Sequence, residues 1–143
     1  MRKTTSENEN RLISGKSRMR ILVTGGAGHI GSRLIRNLNN YLPLDEIFIV
    51  DSMITHRYVS LFNLDNLPPV RFIDKDVRNL NLLEDTFLSR IDLVIHLAAL
   101  TDASSSLNNS EELVVNNLRG TKTIAYICKS LAIPLVFPSS TSI

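Results

Sequence analysis

Four short runs of Val, Ile, Leu and Phe punctuate the chain, ILVT at 21–24, IFIV at 47–50, VRFI at 70–73 and LVIHLA at 93–98, and a fifth, PLVF, stands at 134–137. None alternates strictly between apolar and polar. A strand with one wet face must alternate, so such runs belong in a sheet covered on both sides, which favours parallel pairing. Parallel neighbours need crossovers long enough to hold a helix, and helix-period segments lie between the runs. Ile30, Leu34, Ile35 and Leu38 make one stripe, and Leu80, Leu83, Phe87 and Leu88 a second. A third helix is expected after Ser110, with Glu111 and Glu112 in a first turn where the helix dipole favours negative charge. Its inward face would hold Leu113, Asn117, Gly120, Ile124, Ile127 and Leu131. Alternating strands and helices with right-handed crossovers give an α/β fold, an open, doubly wound parallel sheet. Residues 51–69 carry no clear period and are expected to form a long irregular connection.

A length of 143 residues suits one domain with a real core. The composition, 43% hydrophobic and 21% charged, is that of a soluble globular protein, and a formal charge of +2 makes no case for a nucleic-acid partner. The basic excess is local: the first 20 residues carry Arg2, Lys3, Arg11, Lys16, Arg18 and Arg20 against Glu7 and Glu9, with little apolar content. Residues 1–18 are expected to be a disordered leader, with a targeting or anion-binding arm as the alternative, and residues 19–143 the folded domain. The leader lacks the apolar stretch of a secretory signal, and Met19 stands directly before the first strand. The longest apolar run, beginning at Ile91, contains Asp92 and His96 and is too short for a bilayer, so no membrane partner is expected. Cys128 is the one cysteine; it excludes an internal disulfide, fits a reducing, cytoplasmic setting and is expected to be a small core residue.

Between the first run and the first stripe stands TGGAGHIG, with Gly25, Gly26, Gly28 and Gly31. Glycine clusters where a Cβ would block a dihedral or a close approach. The spacing fits G-x-G-x-x-G through Gly26, Gly28 and Gly31, and G-x-x-G-x-x-G through Gly25, Gly28 and Gly31. At a strand-to-helix handover these are the positions that turn the chain, admit a pyrophosphate and let helix and strand pack closely. Asp51 closes the second run 20 residues beyond Gly31, where a carboxylate can accept from both hydroxyls of an adenosine ribose and repel a 2′-phosphate. That favours NAD over NADP. Arg57 is the feature that would soften the preference, and a plain strand-ending turn is the alternative role for Asp51. After the third run, Asp76 and Val77 can meet an adenine amino group and ring nitrogen, or Asp76 can be an ordinary solvated acid. After the fourth, Leu97, Ala98 and Ala99 leave room at a strand's carboxyl end, as plain packing also would.

These residues, together with KDVRN at 75–79, VIHLAA at 94–99, NNLRGT at 116–121 and VFPSSTS at 136–142, resemble the extended short-chain dehydrogenase/reductases. The resemblance is to their NAD-dependent nucleotide-sugar epimerase/dehydratase group, of which UDP-glucose 4-epimerase is a member. It covers residues 19–143 and implies a Rossmann-type sheet, incomplete at its carboxyl-terminal side. It further implies that His29 and Ile30 contact the pyrophosphate through their backbone and that Asp51, Ser52 and the residues to about His56 surround the ribose. Asp76 and Val77 would hold adenine, Leu97 to Thr101 would line the cofactor, and Asn116 and Asn117 would approach it from the third helix; a buried Asn satisfied by backbone is the alternative for each. Ser140 takes the position of the catalytic hydroxyl, which hydrogen-bonds the substrate oxygen as hydride moves to or from the nicotinamide.

The departures narrow the activity. The Asp-Glu pair of the sugar 4,6-dehydratases is replaced by Thr141 and Ser142, Thr101 stands where galactose epimerases carry Lys, and Pro138 replaces a usual Ser. The family's proton-transfer pair, Y-x-x-x-K, is absent: Tyr126 and Lys129 are three apart and belong to a polar helix face with Arg119 and Lys122, and Tyr41 and Tyr58 have no Lys at the required spacing. His29, His56 and His96 show no metal-ligand spacing, so no metal is expected. Gly15-Lys16-Ser17 lacks the strand and second glycine of a P-loop. The expectation is the NAD-binding part of a nucleotide-sugar epimerase or related oxidoreductase, inactive alone; the alternative is a non-catalytic dinucleotide-binding module. Nucleotide-sugar is the implied substrate of the parent enzyme. Family members commonly dimerise through a bundle that includes the third helix, which leaves a homodimer of the parent open.

Overall fold

The computed structural model describes residues 18–54, 57–64, 66–100 and 110–139. Among the described residues, five strands and two α-helices carry the fold: β1 (Met19–Thr24), α1 (His29–Leu38), β2 (Leu44–Asp51), β3 (Val70–Asp74), β4 (Leu93–His96), α2 (Ser110–Leu131) and β5 (Leu135–Val136). Single turns of 3-10 helix lie at Tyr58–Leu61, Val77–Asn79 and Thr86–Arg90. The strands form one sheet in the order β3-β2-β1-β4-β5, every pairing parallel. Strand order reverses between β1 and its neighbour β4, as it does in doubly wound dinucleotide-binding sheets.

The unbroken apolar runs are explained by the pleat. Along β1 and β2, Ile21, Val23, Ile47 and Ile49 join the core beneath α1 with Ile35 and Leu38. Leu22, Phe48 and Val50 join the opposite core beneath α2 with Ile124, Ile127 and Cys128. Successive side chains take opposite faces, and burying each contributes roughly 1.5–3 kcal/mol. The outermost strand β3 departs from the two-sided expectation: Arg71 and Phe72 are exposed on it.

Two helix expectations need correction. Ile30 does not join the inner stripe of α1; it is 71% exposed, and Gly31, Ile35 and Leu38 are the buried positions. The stripe from Leu80 to Leu88 forms no α-helix, and Leu83 is 88% exposed. Polar side chains fix an isolated turn there instead. The Asp85 carboxylate accepts from Asn81 N at 2.7 Å and from Lys75 Nζ, and Asn81 Oδ1 accepts from Leu83 N at 2.9 Å. β4 also ends at His96, so Leu97 and Ala98 lie beyond the strand. The inner face expected for α2 is present, with Gly120, Ile124 and Ile127 buried, while Tyr126, Lys129, Arg119 and Lys122 are exposed.

Candidate functional site

The carboxyl ends of β1 and β4 open onto a groove built first from backbone. Gly25 follows β1 with φ +70°, a conformation that disfavours any side chain, and a Cβ there would sit 2.7 Å from Ala98 N. Gly28 N donates to Gly25 O at 3.1 Å, closing the turn, and Ser32 N donates to Gly28 O at 3.0 Å as α1 begins. Gly31 lies against this turn so closely that a Cβ would collide with the Gly25 carbonyl. The first turn of α1 has no side-chain cap and no acidic residue. Its outward amides and the positive end of the helix dipole therefore offer an anion site.

Asp51 joins this turn to the irregular connection. One carboxylate oxygen accepts from Ala27 N at 3.0 Å and the other from Met53 N at 2.9 Å. An ionised carboxylate has about four acceptor positions, so capacity remains for hydroxyl donors. The connection is tied down again farther along. Ser60 Oγ donates to Ala27 O at 2.8 Å, and Arg36 Nη2 donates to Ser60 O at 2.7 Å and Phe62 O at 2.9 Å.

The opposite wall comes from the segment after β3 and from α2. Asp76 accepts from Arg78 N at 2.8 Å and from the Arg78 guanidinium on both oxygens. That hydrogen bonding holds the Asp76 carboxyl below its usual range, against the opposing effect of burial. Arg78 Nη1 also donates to Asn116 Oδ1 at 2.6 Å. Asn117 clasps one residue by its backbone: Oδ1 accepts from Leu100 N at 2.7 Å and Nδ2 donates to Leu100 O at 3.0 Å. The backbone-satisfied role and the groove-lining role of Asn117 thus coincide.

Beneath the groove lies His96, 1% exposed, with Nδ1 2.6 Å from Thr24 Oγ1 and Nε2 3.2 Å from Thr121 Oγ1. Burial pushes its pKa down to about 4, so the imidazole is neutral at neutral pH. Thr24 Oγ1 accepts from Ala98 N at 3.3 Å, linking β1, the end of β4 and α2.

Of the residues singled out in the sequence, the structure brings Gly25, Gly28, Asp51, Ser52, Asp76, Val77, Leu97, Ala98, Ala99, Asn116 and Asn117 to one groove. Its volume is about 740 Å³ including the mouth open to solvent. His29, Ile30 and Gly31 do not line it; His29 and Ile30 are exposed at the start of α1 and Gly31 is buried under the turn. Ser140, His56 and Thr101 lie outside the described residues. Arg78 is the lining residue that sequence reasoning missed, although KDVRN contains it; its Asn116 contact is 38 residues away and no local spacing announces it. Among the described residues no cluster of His, Cys, Asp and Glu could hold a metal ion.

A five-stranded parallel sheet in this order, with a glycine turn, an uncapped helix start and a strand-end acid around its switch point, defines a doubly wound nucleotide-binding fold. The model of the NAD dependent epimerase/dehydratase family matches residues 21–143, and the chain belongs to that family. It is 34% identical over 128 residues to ADP-L-glycero-D-manno-heptose-6-epimerase of Brachyspira hyodysenteriae, an alignment covering 86% of this chain and 37% of that protein. It is 34% identical over 114 residues to dTDP-glucose 4,6-dehydratase of Haemophilus influenzae, covering 78% and 33%. UDP-glucose-4-epimerase from Stenotrophomonas maltophila, solved with NAD and formylated UDP-arabinopyranose, superposes with a TM-score of 0.71 at 26% identity, over 88% of this chain and 38% of that one. The chain therefore spans about a third of the length of these relatives.

Proposed function

We propose that this chain is the NAD-binding part of a nucleotide-sugar epimerase or related oxidoreductase that works by transient hydride transfer. The observation that carries the reading is the pairing of an uncapped helix start with Asp51, whose carboxylate is tied to Ala27 in the same turn. Together they offer a diphosphate site beside an acceptor for ribose hydroxyls, which is the chemistry of the adenosine half of NAD. Bound there, NAD would supply the hydride acceptor and donor.

The chain's own residues would bind and orient it. The amides of His29 and Ile30 would serve the pyrophosphate beside Gly25 and Gly28, Asp51 and Ser52 the ribose, Asp76 and Val77 the adenine, and Leu97, Ala98, Ala99, Asn116 and Asn117 would line the rest of the groove. Ser140 would hydrogen-bond the reacting oxygen of the sugar. No Tyr of these 143 residues has Lys four positions on, so turnover by this chain alone is not expected. UDP-, dTDP- and ADP-sugars, named in the relatives, are the substrate class for the parent enzyme. Exposed Val114, Val115 and Leu118 on α2 support a homodimer of the parent. No helix among the described residues is long and apolar enough to cross a membrane, and the lone Cys128 supports a cytoplasmic setting.

Thermal unfolding with and without NAD tests the reading. At a hundred times its dissociation constant NAD should add about 2.7 kcal/mol of stability, and NADP less at the same concentration. An unchanged melting temperature with NAD contradicts it.

A further inference from the structure

Arg78 lies in the groove and joins the two segments of one wall. Its Nε donates to both Asp76 oxygens at 3.0 Å, its Nη2 to Asp76 Oδ2 at 2.6 Å, and its Nη1 to Asn116 Oδ1 at 2.6 Å on α2. Most surface ion pairs contribute little. This one differs in geometry: the fork grips a carboxylate with side-chain exposure of only 19%, and its own backbone N–H donates to the same carboxylate. Asp76 and Asn116 are 40 residues apart in sequence, yet one guanidinium joins them, and all three residues line the same groove.

We propose, resting on the dinucleotide reading above, that Arg78 is the positioning residue that makes the base end of the groove selective for an amino-purine over an oxo-purine. Asp76, a carboxylate ionised at neutral pH, can only accept hydrogen bonds. A 6-amino group donates to it; a 6-oxo group meets it lone pair to lone pair. The Arg78 fork fixes the plane of the carboxylate and ties it to α2, so the acceptor cannot swing away to admit the wrong base. Asp76 touches the base, and Arg78 acts through it.

The test uses the full chain, titrated calorimetrically with NAD and with nicotinamide hypoxanthine dinucleotide, which carries oxygen for the amino group and a proton on the adjacent ring nitrogen. The wild type should favour NAD by about tenfold or more. Arg78→Met keeps the stem and removes the fork; it should weaken NAD binding about tenfold and bring the two ligands within about twofold of each other. Arg78→Lys keeps charge and stem, serves if the Met variant does not fold, and should give an intermediate ratio. An unchanged ratio in either folded variant, or equal weakening of both ligands, overturns the proposal. A wild type that binds both equally overturns it while leaving the dinucleotide reading intact, and a wild type that binds neither overturns that reading itself.

Discussion

The two ends of the groove are made of different material. At the first crossover the wall is main chain: the Gly25 turn, the start of α1 and amides without a side-chain cap. At the far end it is side chain, with Asp76, Arg78 and Asn116 held together by charge-assisted bonds. A backbone wall has its shape set by sterics and resists titration, but it tolerates no Cβ. A side-chain wall can distinguish one base from another, and it depends on contacts between distant segments. The difference teaches that anion binding and base selection are separable in this fold, and each can be broken alone.

The sharpest break is at the turn. Gly25→Val puts a branched side chain at φ +70° and against the Ala98 backbone, and should lower stability by about 4 kcal/mol or more, read as a lost or strongly shifted urea transition. Next comes His96, under the floor that both ends share. Its folded pKa, about 4, lies below the unfolded value of 6.5, so its contribution is complete above pH 6.5 and is lost as pH falls toward 4. Stability should drop by up to about 3 kcal/mol across that window, and His96→Gln should flatten the slope. Asp51→Asn keeps one acceptor for two backbone donors, Ala27 N and Met53 N. It should cost about 1–2 kcal/mol of stability, reduce NAD affinity about tenfold and narrow the preference over NADP. Lys129→Ala, on the exposed face of α2, should change stability by less than about 0.5 kcal/mol; a larger effect would mean that this face is covered in solution.

The backbone end was legible because its cause is local. Glycine spacing, a strand before, a helix after and Asp51 at the next strand end all lie within 31 residues, from Ile21 to Asp51. Strand positions were legible for a similar reason, since a two-sided core leaves apolar runs without polar alternation. Periodicity misled where side chains competed with the backbone. Leu80, Leu83, Phe87 and Leu88 have helical spacing, but Asp85 accepts from Asn81 N and Asn81 from Leu83 N, which holds the segment in a turn. Ile30 fitted the α1 stripe by spacing alone, yet Gly31 is what packs there, because only a residue without Cβ comes that close to the turn. The side-chain end was half legible. Asp76 stood out as an acid after the third run and Asn116 entered only through the family resemblance, while Arg78 did not stand out, since its role exists only once α2 is folded against the segment after β3.

The central claim, that the groove at the switch point holds a dinucleotide with its diphosphate on the glycine turn, is tested most directly by calorimetric titration of the folded chain with NAD. One NAD should bind per chain, with affinity reduced by Asp51→Asn. No binding heat at millimolar NAD, or one-to-one binding that Asp51→Asn leaves unchanged, would contradict it.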